Sequence, residues 1–390
     1  MQAGPAGGVV IVGAGQGGLQ AAISLRQEGF SGAITLIGAE PGLPYQRPPL
    51  SKAYLASGEA ERLVLRPATF FDKNAVDYHP ATVVEAIDRA GRMVIAGGRR
   101  IGYDHLILAT GTRNLRPAIP GLDRALDLRT LADAARLRAE LARPRRVAVI
   151  GGGFIGLEFA AVARAAGHAV TVAEAAERLM SRVLSRALSA RFLAMHREMG
   201  TRVELGRAVT QVTAEGIGLS DGTAVAADLV LLAAGVVPNT DLARDAGLEV
   251  ANGIVVDARL CTADPAISAL GDCCVFPDPR TGRPVRLESV QAATDHARAI
   301  ARRLVHGAQD SYAAVPWFWS DQAEWKLQIA GLAAPSDREV VDETGAVWRF
   351  DGARLTAVET INDARTHMRA RRLLAEGTVL TPIDLAGGAG

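Results

Sequence analysis

A chain of 390 residues, 49% hydrophobic and 22% charged, has enough apolar material for two or three cored domains. Its 43 basic and 42 acidic side chains leave a net charge of +1, without the basic excess of an electrostatic nucleic-acid binder. Lys52, Lys73 and Lys326 are the only lysines among the bases; with so much Ala and Gly, that arginine bias reads as base composition rather than chemistry.

Residues 1–8 carry no positive n-region, and the apolar run behind them is too short for a signal peptide. A cytoplasmic chain with no membrane segment is expected. Residues 9–12 form a β-rich run that enters Gly13-Ala-Gly-Gln-Gly-Gly18, then a helical pattern to about residue 25 and a second apolar run at 34–37. Proline-rich turns follow at 41–49, then strands at 83–87 and 92–96, and a buried strand at 105–108 running into Ala109-Thr-Gly111. The first pattern then returns. Residues 147–150 enter Gly151-Gly-Gly-Phe-Ile-Gly156, a helix runs to about 166, and a strand at 170–173 ends on Glu174. Each is strand, glycine turn, helix, strand on a scale of about 30 residues, the βαβ unit of a dinucleotide fold. A helix at 187–199, strands near 201 and 224, and a strand at 229–232 closing on Gly235 come next. Of the three cysteines, Cys261, Cys273 and Cys274, the last two are adjacent and poorly shaped for an unstrained disulfide. From 316 onward the chain holds all four tryptophans, which marks a third, smaller α+β domain; the Gly/Ala tail at 387–390 is expected to fray.

Gly13, Gly15 and Gly18 fit G-x-G-x-x-G. The first permits a tight turn, the second lets backbone approach a pyrophosphate, and the third lets the helix pack on its strand. The helix N-terminus then offers unpaired N–H groups to the phosphates. Gly151, Gly153 and Gly156 do the same, with Glu174 about where an acid reaches the adenosine ribose hydroxyls. A carboxylate there repels a 2′-phosphate, so NADH is expected over NADPH, although Arg178 and Arg182 nearby complicate the choice. Two dinucleotide motifs in one chain imply two cofactors placed for transfer between them, and FAD with NADH explains both more economically than two nicotinamides. Glu40 is the only candidate acid for the first site.

Pro44-Tyr-Gln-Arg-Pro-Pro-Leu-Ser-Lys52, Ala109-Thr-Gly111, Gly151-Gly-Gly-Phe-Ile-Gly-Leu-Glu158, Leu270-Gly-Asp272 and Pro316-Trp-Phe-Trp-Ser-Asp-Gln322 lie in that order along nearly the whole chain. Together they resemble the FAD-dependent NADH:ferredoxin reductases that serve Rieske oxygenases and bacterial haem-thiolate monooxygenases. The resemblance implies an α/β fold with two Rossmann-like domains, of glutathione reductase-like architecture. A discontinuous FAD-binding domain would span 1–112 and 241–315, an NAD-binding domain 113–240, and a C-terminal α+β domain 316–390. Lys52 would lie near the flavin and pair with Glu158, and Trp319 would border the isoalloxazine. Gly13, Gly15, Gly17, Gly18, Glu40, Arg47, Val84, Ala109, Thr110, Gly111, Arg129, Asp272 and Val290 fall to FAD, with Asp272 on the ribityl chain and the valines acting through backbone. Gly151, Gly153, Phe154, Ile155, Gly156, Glu158, Glu174 and Gly235 fall to NADH. An ammonium beside the flavin's reactive edge would stabilise the anionic reduced ring, and a carboxylate would hold it there. Without the resemblance, Lys52 reads equally well as a solvated turn lysine, and Glu158 as a dipole-favoured acid in a helix's first turns.

One departure concerns the FAD ribose: the family often carries an acid where this chain has Ala39, leaving Glu40 or local backbone to substitute. Relatives of the same fold that reduce disulfides or peroxides need cysteine soon after the first βαβ unit. Residues 30–60 hold none, and Cys273 and Cys274 read as inert packing. The expected reaction is hydride transfer from NADH to FAD, then delivery of single electrons to a [2Fe–2S] ferredoxin feeding a monooxygenase or dioxygenase, by a monomer. Arginines near the flavin edge would steer an acidic ferredoxin; Arg99-Arg100, Arg145-Arg146, Arg302-Arg303 and Arg371-Arg372 are candidates in principle, and none is assigned. Two rivals stay open. One is an NADH:quinone oxidoreductase, for which 369–390 shows no amphipathic anchor. The other is a nucleotide-binding interaction protein whose redox state gates a partner.

Overall fold

The computed structural model describes residues 8–378, so the tail at 387–390 lies outside the described residues. The chain divides into two compact units. The first takes the described residues up to Gln46 with Glu61–Arg113 and Val237–Ala314; the second takes Arg47–Ala60, Asn114–Val236 and the described residues from Val315.

In the first unit Val76–His79, Ile34–Ile37, Gly8–Val12 and the C-terminal half of Arg99–Leu108 form a parallel row, extended by Ile267–Ala269. The N-terminal half of Arg99–Leu108 pairs antiparallel with Met93–Ala96, which in turn pairs with Val84–Asp88. Gly8–Val12 is buried along its whole length, so both faces are covered and the run is apolar without alternation. Helices Gln16–Gln27 and Val290–His306 pack on each other. Small residues make the contact, since a Cβ on Gly17 would lie 3.4 Å from that of Ala293.

The second unit holds a parallel sheet in the order Arg202–Leu205, Ala169–Glu174, Arg146–Ile150, Leu229–Leu232, with Phe154–Ala165 as a crossover helix. A three-stranded antiparallel sheet, Val209–Val212, Gly216–Leu219 and Ala224–Ala226, shares a core with it through Ile217, Leu219 and Val230. A five-stranded antiparallel sheet follows in the order Trp317–Gln322, Trp325–Gly331, Arg354–Ile361, Val347–Asp351, Arg338–Val341. Helix Ala364–Glu376 buries Ala370 and Leu374 against Trp348, Phe350 and Val358, so its apolar face is used within the unit. Arg349 and Glu359, 3% and 0% exposed, pair at 2.9 Å. Glu359 also accepts the Ser185 N–H and hydroxyl, and Ser185 caps helix Arg186–Glu198. Residues 47–60 group with this unit, where Ser51 and Lys52 find their partners. Two parallel βαβ sheets with a C-terminal α+β layer are the expected fold class. Among the described residues no helix is long and apolar enough to cross a membrane.

Candidate functional site

Strand Gly8–Val12 delivers the chain to Gly13 at φ +108°, where a Cβ would lie 2.2 Å from the Ala109 carbonyl oxygen, so glycine alone makes this turn. A Cβ on Gly18 would sit 1.8 Å from the Gly13 oxygen, and its absence lets the helix lie against the strand. Gly15 differs. A Cβ there would meet nothing within 4 Å, so bare backbone faces open space at a helix N-terminus that favours phosphate. That cradle fits a dinucleotide.

Around this turn, half-buried Glu40 accepts the Tyr45 hydroxyl at 2.5 Å, while Ala39 is exposed. Thr110 is tied to Asn239 through its hydroxyl at 2.7 Å and its carbonyl at 2.8 Å, and Gly111 follows. Asp272 sits in the 3₁₀ turn Gly271–Cys273, 3.4 Å from the Thr112 hydroxyl. His296 accepts the Gly271 N–H on Nδ1 at 3.2 Å; burial pushes its imidazole down to about 3 and keeps it neutral. Val290 begins its helix behind the Ser289 cap, and Val84 begins Val84–Asp88. Cys273 and Cys274 are fully buried, and burial raises both thiols, which leaves them unreactive.

In the second unit Gly151 and Gly156 repeat the close approaches: their Cβ atoms would lie 2.3 Å from the Ala233 oxygen and 2.2 Å from the Gly151 oxygen. Gly153, like Gly15, has open space where a Cβ would be, so this turn also fits a dinucleotide. The Glu174 carboxylate accepts the Gly152 N–H at 2.7 Å and the Ala176 N–H at 2.8 Å, which fixes it at the turn. Arg178 is turned onto the carbonyls of Leu184 and Ser181, both at 2.6 Å. Arg182 is exposed, its Nη2 3.6 Å from where Gly235 would carry a Cβ. Phe154 and Ile155 begin helix Phe154–Ala165, with Ile155 36% exposed.

Glu158 lies in the second turn of that helix, 5% exposed. Lys52 Nζ stands 3.1 Å from its Oε1 and 3.0 Å from Asp321 Oδ2. Ser51 donates to Glu158 Oε2 at 2.6 Å and Ser320 to Oε1 at 2.7 Å. Burial pushes the Glu158 carboxyl up, opposed by Lys52 and both serine hydroxyls. The structure thus brings Lys52 and Glu158 into direct contact. It adds Ser51, Ser320 and Asp321, which motif reading quoted without singling out.

A signal for Ser320 was present. Strand alternation in Trp317–Gln322 sends Ser320 and Gln322, both 0% exposed, to one face, and Trp319 with Asp321 to the other. Two fully buried polar residues on one face of a strand need partners. Trp319 lies against Trp317 with centroids 5.4 Å apart, and Arg371 sits 5.0 Å over the Trp317 ring. Arg47 donates to the Arg129 carbonyl at 2.5 Å. Among the described residues no cluster of His, Cys, Asp and Glu could hold a metal ion.

The family description pyridine nucleotide-disulphide oxidoreductase matches residues 7–297, and a reductase C-terminal description matches 317–389. Rhodocoxin reductase of Rhodococcus erythropolis is 48% identical over 392 residues, covering 97% of this chain and 92% of that one. Among solved structures, a ferredoxin reductase from Rhodopseudomonas palustris gives a TM-score of 0.95 at 43% identity, over 98% of this chain and 97% of the other. A covalent putidaredoxin reductase–putidaredoxin complex gives 0.93 at 37% identity, over 98% and 96%. Matches of this extent decide the assignment: the chain belongs to the pyridine nucleotide-disulphide oxidoreductase family, among its rhodocoxin and putidaredoxin reductase-like members.

Proposed function

We propose that this protein is an FAD-containing ferredoxin reductase that oxidises NADH and reduces a [2Fe–2S] ferredoxin serving a haem-thiolate monooxygenase or Rieske oxygenase. The observation that carries the reading is the Lys52–Glu158 ion pair, its carboxylate buried on the helix that begins at the second glycine turn. Rhodocoxin reductase and the putidaredoxin-bound reductase support the acceptor, and the family works with a flavin and a pyridine nucleotide. When bound, FAD would supply hydride acceptance from a nicotinamide and release of single electrons, the chemistry that couples a two-electron donor to a one-electron acceptor.

The chain's own residues bind, orient and tune. Gly13, Gly15, Gly17 and Gly18 seat the FAD pyrophosphate on the N-terminus of Gln16–Gln27. Asp272, held in its turn, is the acceptor for a ribityl hydroxyl, and Glu40 or nearby backbone meets the ribose that Ala39 does not. Ala109, Thr110, Gly111, Val84, Val290, Arg47 and Arg129 complete the FAD set. Gly151, Gly153, Gly156 and Gly235 admit NADH, Glu174 takes its ribose, and Phe154 with Ile155 flanks the nicotinamide half. Lys52 supplies positive charge at the reacting ring, and Glu158 and Asp321 hold its ammonium. Trp319 borders the ring. No side chain abstracts a proton. On this reading FAD belongs to 1–112 and 241–315, NADH to 113–240, and residues 316–390 form the C-terminal domain.

Purified protein should be yellow and release FAD on denaturation. Its kcat/KM should favour NADH over NADPH by at least about tenfold, the discrimination a carboxylate at the ribose supplies. Protein that binds no flavin, or that prefers NADPH, contradicts the reading.

A further inference from the structure

Behind the Lys52–Glu158 pair runs a line of buried polar side chains that the reaction, as derived, does not use. Ser320, Gln322 and His196 are each 0% exposed. Gln322 Nε2 donates to Ser320 Oγ at 3.1 Å, and its Oε1 lies 2.9 Å from His196 Nε2. The other amide hydrogen of Gln322 faces Met180 Sδ at 3.7 Å. His196 Nδ1 has no hydrogen-bond partner among the described residues.

The bond directions follow from valence. The Gln322 carbonyl oxygen only accepts, so His196 donates from Nε2 and leaves Nδ1 bare in a neutral ring; burial, which lowers His196, keeps it neutral. The Gln322 amide then fills a lone pair of the Ser320 hydroxyl, whose own hydrogen goes to Glu158 Oε1. Every bond points toward the carboxylate. Such a run of aligned donors strengthens in low dielectric, and a gap in it is costly.

We propose that His196, Gln322 and Ser320 are positioning residues that hold the Glu158 carboxylate ionised and turned toward Lys52. The proposal rests on the reading of Lys52 and Glu158 as the pair at the reacting ring. A buried carboxyl without donors takes up a proton. Among the described residues Lys52 would then keep only Asp321, whose side chain is 41% exposed. The charged groups facing Glu158 are Lys52 and, through it, Asp321; Ser51 and Ser320 are its neutral donors.

The test is isotope-edited infrared titration of the protonated carboxyl band in resting holoprotein, assigned to Glu158 by its loss in Glu158→Gln. Ser320→Ala deletes the last donor. Gln322→Met keeps the volume but removes the amide that orients Ser320, and it adds no second carboxyl. Both should raise the proton affinity of Glu158 on the order of tenfold, the worth of one hydrogen bond to a charged group. Ser320→Thr, which retains a hydroxyl, should restore the wild-type titration. The acid limb of the pH profile for NADH reduction should move to higher pH in the first two variants and stay in place in the third. A Glu158 band that titrates unchanged in both Ser320→Ala and Gln322→Met overturns the proposal. Unchanged NADH reduction in Glu158→Gln overturns instead the reading beneath it.

Discussion

Replacing Gly153 with alanine separates the space needed for a coenzyme from the space needed to fold. Gly153 is the N-cap of Phe154–Ala165 at φ −84° and ψ −175°, extended backbone that alanine adopts without strain. Its Cβ would touch nothing within 4 Å. Folding stability should therefore fall by no more than about 1 kcal/mol, the cost of alanine at an N-cap, partly offset by the reduced freedom of the unfolded chain. On the proposed function the methyl projects instead into the path of a pyrophosphate approaching the helix N–H groups. Overpacking of this kind costs roughly 1–3 kcal/mol, which weakens NAD⁺ binding by about 5- to 150-fold. Gly156→Ala is the contrast, because its Cβ would lie 2.2 Å from the Gly151 oxygen and 3.2 Å from side-chain carbons of Ala233 and Val149. Backbone must move there, so stability should fall. Denaturant midpoints and calorimetric NAD⁺ titrations of the two variants give the comparison. Wild-type NAD⁺ affinity in Gly153→Ala, or a stability loss equal to that of Gly156→Ala, would refute the argument.

Three further outcomes follow from the same geometry. Glu174→Gln keeps one oxygen for the Gly152 or Ala176 N–H but loses the charge; the NADH-to-NADPH ratio of kcat/KM should fall on the order of tenfold, and an unmoved ratio would count against Glu174 as the discriminating acid. Glu359→Ala strands the 3%-exposed Arg349 guanidinium and the Ser185 N–H, so a loss of about 3–5 kcal/mol is expected in denaturant unfolding, and a loss under about 1 kcal/mol would contradict it. Burial pushes His105 and His296 down to about 3 and His367 to about 4. Below the ordinary value near 6.5 the unfolded chain therefore binds more protons than the folded one. Their contribution is complete above about pH 6.5 and drains as pH falls toward 3–4, by up to about 2 kcal/mol per histidine at pH 5. Denaturant midpoints that stay level between pH 7 and 5 would contradict the assignment of neutral, buried rings.

Both glycine turns were legible because their physics is local: a strand, a turn that excludes side chains and a helix follow within a few residues. Lys52 and Glu158 carried no such signal, and only the ordered motifs of a resembling family paired them. Their contact depends on 47–60 meeting helix Phe154–Ala165. The hairpin at Val209–Val212 and Gly216–Leu219 escaped sequence reading, because glycine dilutes a strand pattern even where the strand is fully buried. Strand Arg99–Leu108 begins earlier than its apolar half suggests. Its polar start is held by Met93–Ala96 across the Gly97-Gly98 turn, at φ +53° and +73°, a pair the sequence did display. The His196–Gln322 bond spans 126 positions, and no local period announces it.

The most direct test of the account is anaerobic stopped-flow absorbance on holoprotein, mixed first with NADH and then with an oxidised [2Fe–2S] ferredoxin. NADH should bleach the flavin band rapidly, and the band should return as the ferredoxin is reduced, with the second step slowed by salt if charge steers the encounter. A flavin that NADH reduces but that stays reduced in the presence of ferredoxin, while reoxidising with a quinone, would contradict the account and favour the quinone reductase.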